Sequence, residues 1–441
     1  MRPTAALHGE WSVAGVLHKV RIAFNICATT QFRLFGPVID RALELGWDVE
    51  CWCNQSVFRD GLKSYMFPAT EAIPRFQHGQ PIVRTYSDSA EFDALERGNV
   101  ETVVTIRPLQ FDTNRSHTRQ PVRICLQSLL DTFVNHSLET LASYDLVALQ
   151  TPWWTNWAAS YYEVTTGSSD AAALQARLTQ RIAHIGFPEL DARRLVDRDE
   201  VRRRWNIPRD QPVVLLLPFS QGVGRASFWP RKIFGEPRRM RRLLHLVRHR
   251  QFTQWRRVFN DPSEADVVRA VRSFCDRSGA FLLVKSRRKA PIPDYMRAIA
   301  DKCLYDETYY PPTILEALSV ASLCISFYSA SVLEAAAMAV PNMCITFSAE
   351  DYLGDEVHSV PSFQRFLNRE EKGVFQFRGV SETVTIEEAI AALLVRRLDE
   401  FAIDPDARRA FVHKFIGEDD CQSSARVVDA IAAATESRAA K

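Results

Sequence analysis

The chain has 441 residues, 46% of them hydrophobic, and its 55 Lys and Arg offset 53 Asp and Glu to leave a net charge of +2. That length exceeds one average domain, and the apolar content can bury two sizeable cores. A near-neutral balance excludes a chain held on nucleic acid by its overall field, and no run of about 18 apolar residues exists to cross a bilayer.

The N-terminus lacks the apolar core of a signal peptide, so a cytoplasmic, reduced setting is expected. Most of the nine cysteines lie inside apolar runs and read as buried thiols. Cys51 and Cys53 share one strand face but have no second pair nearby, so no metal site is expected.

Residues 1–18 show no period and read as a loose tail. Lys19–Cys27 predicts a strand, Ala28-Thr29-Thr30-Gln31 a polar turn, and Phe32–Leu45 a helix with Phe35, Val38, Ile39 and Ala42 on one side. Pro37 suits the first turn of that helix and Gly46 its close. Trp47–Trp52 follows as the second strand. This βαβ start opens a Rossmann-like domain, but without the Gly-x-Gly-x-x-Gly turn of a tightly held dinucleotide, so no redox cofactor is expected.

Further strands are predicted at Pro81–Tyr86, Val100–Ile106, Val122–Leu126 and Tyr144–Gln150. Such alternation argues for a parallel sheet. Ligands meet such a sheet where its strands end, which brings forward Arg107 and then Gln127-Ser128. Asp131 and His136 follow shortly after. A carboxylate or imidazole facing a cleft there can deprotonate a hydroxyl; on a solvated helix face Asp131 would do nothing. Trp153, Trp154 and Trp157 share one helix face, as a stacking platform or as core.

Ile182–Ile185 is a strand, followed by Gly186, Pro188 and Asp191 in a Gly-x-Pro-x-x-Asp turn. Glycine permits the bend, proline fixes it, and the aspartate is expected to cap the next helix. Val213–Pro218, all apolar, opens a second domain. The loop Phe219–Arg225 carries Ser220 and two glycines and can approach a diphosphate, though no Gly-Lys-Ser/Thr follows to make a phosphate-binding P-loop.

Arg231–Arg257 holds ten Lys or Arg among apolar residues at helical spacing. It reads as a surface for an anionic membrane or acidic partner, or as a solvated helix on its own domain. Ala280–Lys285 is a strand ending in the basic turn Ser286-Arg287-Arg288, which can neutralise a diphosphate. Thr313 is placed as the cap of the helix that follows. Ala321–Phe327 is then a buried strand, Tyr328-Ser329-Ala330-Ser331 a small polar turn, Val332–Ala339 a helix stopped by Pro341, and Met343–Phe347 a strand. Ser329 or Ser331 can cap that helix. Glu334 can hold a ribose hydroxyl, or merely favour the helix dipole.

The Tyr328-Ser329-x-Ser331 turn with Glu334 and Pro341, together with the Gly186-Phe187-Pro188 hinge and the order of elements, resembles the GT-B glycosyltransferases. Within them it resembles the group containing the CDP-glycerol glycerophosphotransferases of teichoic acid synthesis, and UDP-N-acetylglucosamine 2-epimerases share the fold. The resemblance implies an α/β chain of two Rossmann-like domains facing a central cleft. The expected organisation is a tail over 1–18, an acceptor domain over 19–190, a nucleotide-donor domain over 191–415 with a basic insertion at 226–260, and a C-terminal helix over 416–441.

It further implies transfer of a sugar or polyol phosphate from a nucleotide-activated donor to a polymer or lipid-linked acceptor, at the inner membrane face and without a metal. Lys285, Arg287, Arg288, Tyr328, Ser329, Ser331, Glu334 and Ser220 would serve the donor, and Thr29, Thr30, Arg107, Gln127 and Ser128 the acceptor. The family's two histidines are missing. Gln127-Ser128 stands for His-Gly after one strand, and Ser286-Arg287-Arg288 for the His-Pro segment after Lys285, so Asp131 and His136 are the bases left. A sugar-nucleotide epimerase and a non-catalytic scaffold are the alternatives.

Overall fold

A computed structural model describes residues 19–55, 73–98, 100–107, 120–128, 132–133, 136–166, 176, 178–218, 264–286, 292, 294–305, 309–327, 329–345 and 372–440. Of the expectations above, Asp131, Ser220, Arg287, Arg288, Tyr328 and the basic segment 231–257 lie outside the described residues.

The first sheet has seven strands: β1 Arg21–Ile26, β2 Asp48–Asn54, β3 Ile82–Tyr86, β4 Thr102–Thr105, β5 Val122–Leu126, β6 Leu146–Leu149 and β7 Ile182–His184. Their order is β3-β2-β1-β4-β5-β6-β7, every neighbour pair parallel. The second sheet has six: β8 Val213–Leu217, β9 Phe281–Ser286, β10 Lys302–Tyr305, β11 Leu323–Phe327, β12 Asn342–Ile345 and β13 Ser381–Val384. It runs β10-β9-β8-β11-β12-β13, again all parallel.

The helices are α1 Phe32–Glu44, α2 Ser89–Glu96, α3 Leu138–Ser143, α4 Pro152–Thr166, α5 Arg198–Trp205 and α6 Glu264–Ser278. After them come α7 Asp294–Arg297, α8 Thr313–Val320, α9 Ser331–Ala337, α10 Ile386–Val395, α11 Pro405–Phe415 and α12 Ser423–Ala439. None of the described helices is long and apolar enough to cross a membrane.

The apolar strands are explained by burial on both faces. In β8, Val213, Leu215 and Leu217 join a core with Val201 and Trp205 of α5 and with Leu318 of α8. Val214 and Leu216 join the opposite core with Val268, Val271 and Phe274 of α6 and Leu393 of α10. Period-two alternation puts every second side chain on the other face. The first sheet does the same: Ile22, Phe24 and Ile26 enter the largest core, whereas Ala23 packs with Trp52, Tyr86 and Phe92. Trp154 and Trp157 lie in that largest core, the packing alternative of the two readings above.

The strand order of each sheet reverses beside its first strand, at β1/β4 and at β8/β11. Ligands of open parallel sheets bind outside the carboxyl ends of the strands at such a switch point. The turns that open there are Ala28–Gln31 after β1 and Ser329-Ala330 before α9.

Four local expectations are corrected. Pro37 lies inside α1, which begins earlier at Phe32, so proline here omits an interior hydrogen bond to Arg33 rather than opening the helix. Thr313 is the first residue of α8, and Pro312 occupies the cap without a side-chain bond. Neither serine occupies the α9 cap, which is Ala330; the Ser329 hydroxyl instead accepts from Ser331 N at 3.2 Å. Asp191 does not cap the next helix, because Asp197 does so through Asp199 N and Glu200 N. Asp191 reaches the start of the last helix, where its carboxylate accepts from Ser424 N and Ser424 Oγ, both at 2.6 Å.

That last bond brings the chain back to domain one. Helix α12 packs on α1 and β5, and Thr102 Oγ1 meets Thr435 Oγ1 at 2.7 Å. Just before it, the Trp154 indole N–H donates to Phe415 O at 2.8 Å and Thr151 Oγ1 to Lys414 O at 2.7 Å. Gly186 makes the approach possible. Its φ is +81°, and a Cβ there would fall 2.4 Å from Ser423 Oγ.

Candidate functional site

The turn after β1 is closed on itself. Gln31 Oε1 accepts from Cys27 N at 2.6 Å and Ala28 N at 3.3 Å. Thr29 is buried there and Thr30 half-buried. From this turn α1 runs toward the hinge and domain two, presenting Arg33, Gly36, Pro37 and Asp40 at spacings of three and four, which is one helix face.

That face makes two polar contacts across the domain boundary. The Arg33 guanidinium is ion-paired with Glu189 of the hinge and with Glu334 of α9. One turn further, the Asp40 carboxylate accepts from Tyr310 OH at 2.7 Å and from Gln77 N at 2.8 Å. Gly36 lies between them beneath the Tyr310 ring, where a Cβ would come within 2.4 Å of a ring carbon. Domain two is therefore seated against α1 by an ion cluster, a ring in a glycine notch and a buried hydroxyl–carboxylate bond.

Glu334 is 1% exposed. One carboxylate oxygen meets Arg33, and the other, Oε2, is buried without a hydrogen-bond partner among the described residues. Its neighbour Glu189 has its pKa raised, first by burial and then by the Glu334 charge, against the lowering pull of Arg33. Burial beside a second carboxylate therefore favours the neutral form of Glu189. In the turn between β11 and α9, Ser329 Oγ donates to Ser331 Oγ at 3.0 Å, and Glu334 follows one helical turn after Ser331. Lys285 stands half-buried near the end of β9, on the same sheet edge.

The acceptor-side residues are spread along the first sheet edge. Arg107 is exposed after β4. The buried Gln127 side chain accepts from Gln150 N at 2.8 Å, and Ser128 N donates to Thr132 Oγ1 at 2.7 Å. Gln150 O in turn accepts from Gly186 N at 3.0 Å, tying this edge to the hinge. Neither amide atom of the Gln150 side chain has a partner among the described residues.

His136 is enclosed in the packed interior of domain one, 3% exposed, and its role there is packing. Nδ1 lies 2.8 Å from Thr132 O, Nε2 faces Tyr144 OH at 3.4 Å, and burial pushes its pKa down to about 4. Both nitrogens face the protein interior.

Sequence reasoning missed Arg33, Glu189, Asp40 and Tyr310. Glu189 lay within the hinge motif, and Gly36-Pro37 inside a helical pattern was the one hint that something approaches α1 closely. No group of three or more His, Cys, Asp or Glu among the described residues is placed to hold a metal ion.

No family model matches the sequence, and no curated protein matches it. Solved structures do. The wall teichoic acid polymerase TagF superposes with a TM-score of 0.53 at 10% identity, over 95% of this chain and 89% of that one. A Listeria monocytogenes protein assigned as a UDP-N-acetylglucosamine 2-epimerase superposes with a TM-score of 0.52 at 13% identity, over 95% of this chain and 97% of that one. With two parallel Rossmann-like sheets in this order, the fold is of the GT-B type.

Proposed function

We propose that this chain is a GT-B enzyme that binds a nucleotide-activated sugar or polyol in domain two and transfers it, or its phosphate, to a polymer or lipid-linked acceptor held by domain one. The observation that carries the reading is Glu334: a buried carboxylate at the second switch point, paired with Arg33 of domain one through one oxygen and with no hydrogen-bond partner for the other among the described residues. A ribose hydroxyl is a neutral donor of the kind that oxygen lacks. The likeness of the whole fold to a wall teichoic acid polymerase supports a transferase.

In this reading Ser329 and Ser331 hold the diphosphate with Tyr328 and Ser220 beside them, and Lys285, Arg287 and Arg288 neutralise it as it leaves. Asp131 deprotonates the acceptor hydroxyl, and His136 takes no part. Thr29, Thr30, Arg107, Gln127 and Ser128 line the acceptor side. The basic segment 231–257 brings the enzyme to an anionic membrane surface.

A second reading, sugar-nucleotide epimerisation, draws on the near-equal superposition with the epimerase-like protein. It predicts conversion of the sugar nucleotide with no acceptor present. A thermal-shift screen of CDP-, UDP-, GDP- and CMP-linked compounds tests the site, since ligand binding raises apparent stability by mass action. Stabilisation by one nucleotide class that disappears in Ser329→Ala/Ser331→Ala supports it. No stabilisation by any of them overturns it and leaves a scaffold.

A further inference from the structure

We infer that Glu189 is a proton-operated latch at the hinge: neutral, it joins Glu334 of α9 and keeps domain two seated on α1; ionised, it sets two buried carboxylates on one guanidinium and lets the seating loosen. The latch concerns how the domains are held and stands apart from the donor-site reading. Its geometry is a cluster drawn from three elements. Arg33 of α1 takes Oε1 of Glu189 from the hinge and Oε1 of Glu334 from α9. The three side chains are 17%, 8% and 1% exposed, so little water screens them. The Glu189 carboxyl also lies within hydrogen-bond reach of the Glu334 carboxyl. Carboxylates accept and do not donate, so that contact is a bond only when one of the two carries a proton.

The charges agree with this. One guanidinium balances one carboxylate, and a second ionised carboxylate in the same buried cluster is an unmatched charge. Burial, and after it the Glu334 charge, raise the Glu189 pKa against the pull of Arg33. Other charged groups on the packed elements have their own partners. Asp191 of the hinge bonds Ser424, Arg193 pairs with Asp419, and Arg194 is exposed. On α1, Asp40 meets His78 and Tyr310, and Arg41 pairs with Glu44. Glu316 of α8 pairs with Arg204, and Arg426 of α12 with Asp420. A carboxyl whose pKa is raised by folding contributes stability that is full below the ordinary carboxyl range and is lost as pH rises through the folded value. The latch therefore opens toward alkaline pH.

The test follows the full chain from about pH 5 to about pH 9, where carboxyls in water are ionised, by melting temperature and by small-angle scattering. In wild type, Tm should fall with rising pH by about 2 °C or more relative to Glu189→Gln, and the radius of gyration should rise. Glu189→Gln, whose amide donates to Glu334 and accepts from Arg33 at any pH, should hold a constant radius. Glu334→Gln, which removes the opposing charge, should flatten the profile likewise and serves if Glu189→Gln does not fold. Tyr310→Phe, which loosens the same interface through the Asp40 bond but leaves the cluster intact, should lower Tm equally at every pH.

Parallel pH profiles in wild type and a folded Glu189→Gln, or a wild-type radius of gyration that stays constant over the range, overturn the inference. Neither outcome involves nucleotide binding, so the donor-site reading stands or falls on the thermal-shift screen alone.

Discussion

At the switch point of the first sheet, the turn after β1 is sealed by Gln31, whose amide oxygen takes the N–H groups of Cys27 and Ala28. At the switch point of the second, the corresponding helix carries Glu334, one of whose buried oxygens has no hydrogen-bond partner among the described residues. The contrast belongs to these two turns, since elsewhere on the first sheet edge both amide atoms of the Gln150 side chain are buried without a partner among the described residues. Domain one bonds many of its buried polar groups to one another: Asn25 Oδ1 to Tyr86 OH at 2.7 Å, Gln127 to Gln150 N, and the His136 ring to Thr132 O. Topology alone would have made the two edges equivalent. Side chains decide that one serves as foundation and the other as site.

The largest effect expected from this contrast is on stability in acid. The His136 pKa falls to about 4 in the fold from an ordinary value near 6.5. Above 6.5 both folded and unfolded states are neutral there and stability is full. As pH drops from 6.5 toward 4, the unfolded chain takes up a proton that the fold refuses, costing on the order of 3 kcal/mol. Across that window the urea midpoint of wild type should fall relative to that of His136→Gln, whereas the Glu189 carboxyl, raised by burial, acts in the opposite sense in both proteins.

Next is Asp191→Ala. It removes a carboxylate that holds the start of α12, and a loss of about 2 kcal/mol is expected for hydrogen bonds to a charged group. Amide exchange over Ser423–Ala439 should rise before exchange in the second sheet does. Third, Glu334→Gln should weaken nucleotide binding about tenfold, measured by calorimetry, because the amide presents a weaker acceptor than the carboxylate. Smallest, Gln31→Ala should cost about 1 kcal/mol of stability, as lost turn caps do, and leave nucleotide affinity unchanged. If Gln31→Ala abolished binding instead, the distinction between foundation and site would collapse.

The sheets were legible because parallel strands buried on both faces are apolar runs. VVLLL of β8 and VRICL of β5 are hard to mistake. The strands missed were the edges β10 and β13, whose KCLY and SETV sequences mix polar residues because an edge is covered less fully. The serine turn and Glu334 were legible because their chemistry is local. Arg33 was not. Its partner on α9 is 301 residues away, and nothing within a helical turn of either one announces the other. Asp191 shows the same limit: an aspartate before a charged helix reads as a cap, and only folding reveals that it caps a helix 233 residues further on.

Both the first strand of the fold, β1, and its last helix, α12, belong to domain one, and the chain crosses to domain two and returns at two glycines in contact. A Cβ on Gly417 would lie 3.2 Å from the Gly186 Cα. Mechanically, domain two hangs as a loop on a two-ply hinge. Tension drawn between Lys19 and Ala440 would be carried first through domain one, and α12 would have to peel from α1 and β5 before domain two felt any load.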